Sequence, residues 1–292
     1  MTRRTPSPPP PSRGDPWPAL RRLTPARVGL GRTGAALPTA RHLDFQLAHA
    51  LARDAVHSTL ETDRLADELK EAGFEPVRLH SAAPDRATYL RRPDLGRRLD
   101  EASRDRLAPY RGDRPDLAFV IADGLSATAV NRHAVPLAAA TAELVRPLGW
   151  RIGPVALVEQ GRVAIGDEIG ALLSGQLVAV LIGERPGLSA ADSLGVYATW
   201  APAPGVTVDA ERNCLSNVRP DGFPIAAAAR ELCRLLVAAK AIGATGIPLS
   251  RHLAAAGSPL PVTPEPLPGG AVGDAAADAD HSAAADDGDD GR

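Results

Sequence analysis

The residues best suited to bind a ligand lie between positions 161 and 217. An apolar run at 177–182 ends in the turn GERPG at 183–187, and the polar segment NCLSN follows at 213–217. Buried strands that end in such turns build ligand crevices at the carboxyl ends of open α/β sheets. The glycines permit close backbone approach, and the Glu184 carboxylate can accept hydrogen bonds from amide groups. We predict a binding site here, with a local salt bridge between Glu184 and an arginine as the alternative.

Two further positions have a structural and a functional interpretation. Cys214 and Cys233 are the two cysteines, and without a Cys-x-x-Cys motif they indicate neither a disulfide framework nor a zinc site. Cys214 is then a small buried apolar residue or a ligand contact. Asp123 and Ser126 follow the apolar run at 117–122, where Ser126 can cap a helix and Asp123 can accept from backbone amides. The alternative is that they contact a polar ligand.

The segment GLGRTG at 29–34 matches the dinucleotide-binding pattern G-x-G-x-x-G, and Asp54 stands 20 residues beyond it. That pattern binds nucleotides when it connects a strand to a helix. Here a Pro-rich segment precedes it, and Pro38 separates it from the next helix. We interpret the segment as a turn leading into the first helix, with nucleotide binding as the alternative.

No independent catalytic apparatus is indicated. The 7 histidines are scattered, and neither a Gly-x-Ser-x-Gly motif nor a P-loop is present. The pattern Asp-x-His-x-x-Gly, by which some corrinoid proteins supply a histidine to cobalt, is also missing. We therefore predict no catalytic residue and no metal ligand in this chain.

The elements that must position these residues alternate in type. Strands are predicted at 117–122, 155–159, 162–165, 177–182 and 196–200, with helices at 38–60, 61–72, 128–144, 167–174 and 225–239. Runs that are apolar on both faces predict a mostly parallel, Rossmann-like α/β sheet flanked by helices. We divide the chain into a disordered Pro/Arg-rich tail (1–25), an N-terminal helical unit (26–112), the Rossmann-like domain (113–250) and a disordered acidic tail (251–292).

The net charge of −2 is unevenly distributed along the chain. Residues 265–292 carry −7, which leaves +5 for residues 1–264, too little to indicate a nucleic-acid partner. Prolines interrupt the first thirty residues, where a signal peptide requires an apolar core, and no window approaches the length of a membrane span. We expect a protein that is neither exported nor membrane-spanning.

Six groups of residues match one known family in order and spacing. They are Val28 with Gly31, Arg32 and Gly34; 89–90 with 92–99; 123–126; 161–163 with Asp167, Ile169 and Gly170; 183–188; and Cys214 with Ser216 and Asn217. On these residues, positions 27–247 resemble the small (light) subunit of ethanolamine ammonia-lyase. That enzyme depends on adenosylcobalamin and converts ethanolamine to acetaldehyde and ammonia.

The resemblance implies a Rossmann-like domain that holds the corrin cofactor at the contact with a large subunit, which carries the substrate site and the acid–base residues. Carried over by position, the cobalamin contacts fall on Val163, Glu184 and Cys214. The family binds cobalamin with its own dimethylbenzimidazole on cobalt, which agrees with the missing histidine motif. The resemblance thus implies a hetero-oligomer of small and large subunits.

The expected location is the cytoplasm. Some members of the family are packaged into bacterial microcompartments by a short N-terminal amphipathic helix, which the Pro-rich start of this chain does not favour. Packaging stays open at this point. Two other functions also stay open: a nucleotide-dependent oxidoreductase that uses the turn at 29–34, and a non-catalytic corrinoid carrier.

Overall fold

The computed structural model describes residues 17–24 and 26–257. Its strands are β1 (Pro76–His80), β2 (Leu117–Ala122), β3 (Val155–Glu159), β4 (Leu177–Gly183), β5 (Leu194–Trp200) and β6 (Arg212–Val218). Its α-helices are α1 (Trp17–Arg21), α2 (Thr39–His57), α3 (Thr62–Glu71), α4 (Arg86–Arg91), α5 (Glu101–Leu107), α6 (Ala127–Val145), α7 (Ile165–Leu173), α8 (Ile225–Ile242) and α9 (Ile247–Ala255).

The strands form one sheet in the order β1-β3-β2-β4-β5-β6. β1, β3, β2 and β4 are parallel neighbours, whereas β5 is antiparallel to both β4 and β6. β2 and β4 are buried along their whole length, as their unbroken apolar runs predict. The predicted mostly parallel, Rossmann-like sheet is confirmed.

Helices cover both faces of the sheet. Successive residues of a strand point to opposite faces, so Phe119 of β2 packs in a core with α3, α6, α8 and α9, and Val120 packs in a second core with α5 and α7. Full burial of such a side chain contributes about 1.5–3 kcal/mol. The two cores fix the helices that follow β2 and β3 on opposite sides of the sheet.

The strand predicted at 162–165 is absent, and this part of the prediction was wrong. β3 ends at Glu159, and Gln160 turns the chain in the left-handed region with φ 55°. The Arg162 N–H then donates to the Gly96 carbonyl at 2.7 Å instead of to a neighbouring strand. α7 begins three residues later, so the predicted short helix starts at Ile165.

Two strands were not predicted from the sequence. β1 lies within 26–112 and pairs with β3, so this segment contributes an edge strand in addition to helices α2 to α5. β6 is the opposite edge strand, and three of its seven residues are buried. Edge strands with one buried face carry polar side chains, which is why neither segment shows a continuous apolar run.

The ranges predicted to be disordered, 1–25 and 251–292, are helical in part. α1 lies at Trp17–Arg21, and the Arg21 Nε donates to the Val28 carbonyl at 3.1 Å. α9 extends to Ala255 because Leu249 and Leu253 are buried in the core with α8. The predictions for 1–16, for residue 25 and for 258–292 fall outside the described residues.

Candidate functional site

An open cleft of about 400 Å³ lies at the carboxyl ends of β3 and β4. β2 and β3 are neighbours whose following helices pack on opposite faces of the sheet, which is the arrangement that creates crevices in open α/β folds. The lining residues are Tyr89, Gly124, Leu125, Arg162, Val163, Ile182, Gly183, Glu184, Arg185 and Tyr197. A second cleft of about 480 Å³ shares Arg162, Val163 and Tyr197 with the first.

Two of the three sequence-predicted site residues line this cleft, and the third lies opposite one of its lining residues. Val163 lies in the turn before α7, and Glu184 follows β4 directly; both line the cleft. Cys214 is exposed on β6 and is the cross-strand partner of Tyr197, which lines both clefts. Val163 and Glu184, which are far apart in sequence, therefore border one cleft, and Cys214 lies beside Tyr197.

The Glu184 carboxylate is held by three neutral donors. The Ser216 hydroxyl donates to Oε1 at 2.5 Å, the Asn217 N–H donates to Oε2 at 3.1 Å, and the Ser193 hydroxyl also donates to Oε2. Asn217 adopts the left-handed backbone conformation with φ 59°. Among the described residues, the ion pairs do not involve Glu184, so the alternative of a local salt bridge with Arg185 is not what the structure contains.

The backbone at the end of β4 is packed too tightly for a side chain. A Cβ on Gly183 would lie 2.1 Å from the Ser126 carbonyl oxygen. Gly124 has φ +58°, and a Cβ there would lie 2.3 Å from the Gly183 carbonyl oxygen. These two glycines therefore set the position from which Glu184 leaves the sheet.

Asp123 joins the ends of β2 and β3. Its carboxylate accepts from the N–H groups of Gln160 and Gly161, each at 3.0 Å, and it is 3% exposed. Burial raises the pKa of Asp123 to about 6, against the lowering effect of these N–H donors and of Arg86. Ser126 caps α6 by accepting from the Ala129 N–H at 3.3 Å. The structural interpretation of both residues is confirmed.

Two arginines flank Tyr89 beside the cleft. The Arg86 guanidinium lies 4.7 Å and that of Arg162 4.1 Å from the centre of the Tyr89 ring, a distance at which a cation attracts the ring face. The Tyr89 hydroxyl donates to the Gly161 carbonyl at 3.2 Å. This cluster fixes the loop that carries Val163. Sequence patterns gave no signal for this cluster, because Arg162 is far from Tyr89 in sequence and meets it only in the folded structure.

The chemistry of Cys214 follows from its neighbours. Desolvation by surrounding protein atoms raises the pKa of the thiol, and the negative charge of Glu184 raises it further, although a hydrogen bond with Tyr197 opposes this. The thiol is therefore protonated at neutral pH and offers a small, uncharged contact surface.

Other features concern metals, nucleotides and membranes. In the part of the chain that the structure describes, there is no group of three His, Cys, Asp or Glu residues able to hold a metal ion. The turn at 29–34 follows no strand within residues 17–24 and 26–28. No single described helix could cross a membrane; α8 and α9 meet the length and composition criteria only as a pair bent by 98°.

Comparisons with known proteins identify relatives over most of the chain. The family model described as "Ethanolamine ammonia-lyase light chain (EutC)" matches residues 14–250. A protein of Ralstonia nicotianae is 56% identical over 225 residues, which is 76% of this chain and 83% of the relative. A protein of Azotobacter vinelandii is 56% identical over 229 residues, or 77% and 84% of the two chains. Both are named ethanolamine ammonia-lyase small subunit.

Proposed function

The chain belongs to the ethanolamine ammonia-lyase light-chain family, and on that premise we propose that it holds adenosylcobalamin at its contact with a large subunit. It is a subunit of a lyase, and the family's name supplies the reaction class. The proposal includes the cofactor, the partner and the contact residues Val163, Glu184 and Cys214. It rests on the cleft at the ends of β3 and β4.

The observation that carries the proposal is that Val163 and Glu184 line one cleft, while Cys214 is the cross-strand partner of Tyr197, which lines it too. A corrin ring is a broad plate fringed with amides, so it needs an extended and shallow surface with apolar and hydrogen-bonding groups. The two adjoining clefts, about 400 and 480 Å³, share Val163 and Tyr197 and suit such a plate. Glu184 is an acceptor at the rim, and Cys214 is an exposed neutral contact. The residues present fit the cofactor.

When bound, adenosylcobalamin supplies the radical by homolysis of its cobalt–carbon bond. The residues of this chain bind and orient the corrin. Val163 and the Cys214 thiol offer apolar atoms for packing against it, and Glu184 accepts from an amide N–H at its edge. Asp123 and the arginines around Tyr89 keep the Val163 loop in place. The acid–base groups of the reaction are assigned to the large subunit.

An exposed apolar stripe on α2 supports a protein partner. Leu43, Leu47 and Leu51 recur every four residues on one side of the helix and are 56%, 63% and 53% exposed. Leu47 and Leu51 also line an open cleft of about 640 Å³ together with Leu188. Contiguous exposed leucines mark interaction surfaces in proteins. A large subunit that covers part of this chain accounts for them.

The experiment that tests the proposal is reconstitution. This chain, the large subunit encoded in the same organism and adenosylcobalamin are mixed, and ammonia release from ethanolamine is measured. We expect release from the complete mixture and none when any component is omitted. A folded complex with bound cofactor that releases no ammonia would contradict the proposed function.

The two other functions give different results with the same samples. Tight binding of a nicotinamide dinucleotide by the lone chain would favour the oxidoreductase, although such binding requires a strand before the turn at 29–34 and the described residues 17–24 and 26–28 contain none. Retention of a corrin chromophore by the lone chain would favour a carrier. Retention only in the presence of the large subunit supports the proposal made above.

A further inference from the structure

The hydrogen bonds around Glu184 leave its carboxylate with a defined remaining capacity. A carboxylate offers about four lone-pair positions, two on each oxygen. Oε2 accepts from the Asn217 N–H and the Ser193 hydroxyl, whereas Oε1 accepts from the Ser216 hydroxyl alone. One acceptor position on Oε1 is therefore left for a ligand.

The carboxylate is also fixed in direction. Its donors come from two elements, since Ser193 immediately precedes β5 while Ser216 and Asn217 belong to β6. On the facing strand, a Cβ on Gly195 would lie 3.0 Å from both Cγ and Oε1 of Glu184, so the absence of a side chain there leaves room for the carboxylate. A side chain held by three donors loses little conformational entropy when a ligand binds.

We propose that Glu184 makes the site specific for a corrin that presents a primary amide, rather than a carboxylate, at this point of its edge. We also propose that Ser216 is the residue that positions Oε1 for it. Both statements rest on the proposed function. An amide N–H can donate to the remaining lone pair of Oε1. A carboxylate at the same place would set two acceptors and two negative charges against each other.

Among the described residues no arginine or lysine is ion-paired with Glu184, although Arg162 and Arg185 line the same cleft, and this sharpens the discrimination. Its three donors are hydroxyl and backbone groups, none of which carries a charge to offset that of a second carboxylate. A site built to pair with a donor rejects an analogue that lacks the donor more strongly than a merely apolar site does.

The first test measures the binding of corrins to the assembled complex of this chain and its large subunit. The probes are cyanocobalamin and its derivatives in which one peripheral amide is hydrolysed to a carboxylate, and binding is followed by absorbance after rapid filtration. We expect at least one derivative to bind about tenfold or more weakly than cyanocobalamin. The Glu184→Gln variant should remove most of that difference, because it replaces the negative charge. Equal binding of all probes, or a difference that persists in Glu184→Gln, would overturn the proposal.

The second test assigns the role of Ser216 with a double-mutant cycle. Ser216→Ala should weaken cyanocobalamin binding about fivefold to tenfold, as expected for the loss of one hydrogen bond. In a Glu184→Ala background the same substitution should have no further effect. Ser216→Thr keeps the hydroxyl and should restore binding. Ser174→Ala, on the exposed turn that precedes β4 at the opposite end of that strand, is the control and should bind as the unmodified chain does.

The outcomes distinguish a failure of the proposed function from a failure of the role assigned to Ser216. If the unmodified complex binds no cobalamin, the proposed function fails. If it binds cobalamin and Ser216→Ala weakens binding equally with Glu184 present or replaced, the positioning role is wrong and the function stands.

Discussion

Arg212 on β6 and Asp167 on α7 form a buried bidentate ion pair, with both N–O distances at 2.7 Å. The two side chains are 3% and 5% exposed. Thr199 of β5 also accepts from the Arg212 guanidinium, at 3.2 Å. The pair attaches the strand that carries Cys214 to the helix that follows Val163, so it ties together two of the three proposed cofactor contacts.

Removing one member of this pair should destabilise the protein strongly. Asp167→Asn leaves the Arg212 charge buried without its main partner, and breaking such pairs costs about 3–5 kcal/mol. The double variant Asp167→Leu/Arg212→Met should recover much of that loss, because no buried charge remains. Urea unfolding of the isolated chain measures both. The exposed pair of Asp67 and Lys70 is the control, and Asp67→Asn should cost under about 1 kcal/mol. A small effect of Asp167→Asn would show that the pair does not hold β6.

The tight packing at the end of β4 gives a second prediction. Gly183→Ala forces a methyl group to within 2.1 Å of the Ser126 carbonyl oxygen, so the backbone of one segment must move. We expect a loss of about 1–3 kcal/mol in unfolding free energy, together with weaker cofactor binding by the complex. Gly187→Ala is the matched control in the same turn, because the nearest atom to its Cβ is 3.9 Å away. Equal stability of the two variants would contradict the close approach described here.

Asp123 predicts a pH dependence of stability. Its pKa is raised from 3.8 to about 6 by burial, so the folded protein holds this proton more tightly than the unfolded chain does. The stabilisation from the proton is fully present below about pH 4 and is lost as the pH rises through about 6. Each pKa unit corresponds to about 1.4 kcal/mol, which gives roughly 3 kcal/mol in total.

The measurement is the unfolding free energy of the unmodified chain and of Asp123→Asn between pH 4 and 7. The difference between the two should change across this interval, because the variant lacks the titrating group. The contact of His133 with Asp192 is present in both proteins, so it does not contribute to the difference between them. Parallel pH profiles would mean that the pKa of Asp123 is not raised.

The sequence predicted the architecture well where a strand is buried on both faces. No polar residue interrupts the apolar runs that form β2 and β4, and such short unbroken runs are typical of strands buried on both faces. The polar edge strand β6 gave no such signal, because buried and exposed residues are mixed along it. The Gly29 motif shows the opposite failure: the glycines match the pattern, but no strand precedes them within residues 17–24 and 26–28.

The site was predicted in parts but not in its internal contacts. The turn at 183–187 indicated Glu184, the residues alone left Cys214 as either a buried residue or a ligand contact, and the family resemblance added Val163. The donors on Glu184 come from Ser193, Ser216 and Asn217, which become its neighbours only through the antiparallel pairing of β5 with β4 and β6. The contacts of Arg86 and Arg162 with Tyr89 likewise depend on tertiary structure. Local patterns carry no information about such pairings.

The central claim is that this chain forms one side of a cobalamin site that a large subunit completes. A structure of the complex of both subunits with adenosylcobalamin tests it most directly, by the distances from the corrin to Val163, Glu184 and Cys214. We predict that all three residues contact the corrin or its side chains, and that Glu184 Oε1 lies within hydrogen-bond distance of an amide nitrogen. A corrin bound elsewhere, with these three residues exposed to solvent or covered only by protein, would contradict the account.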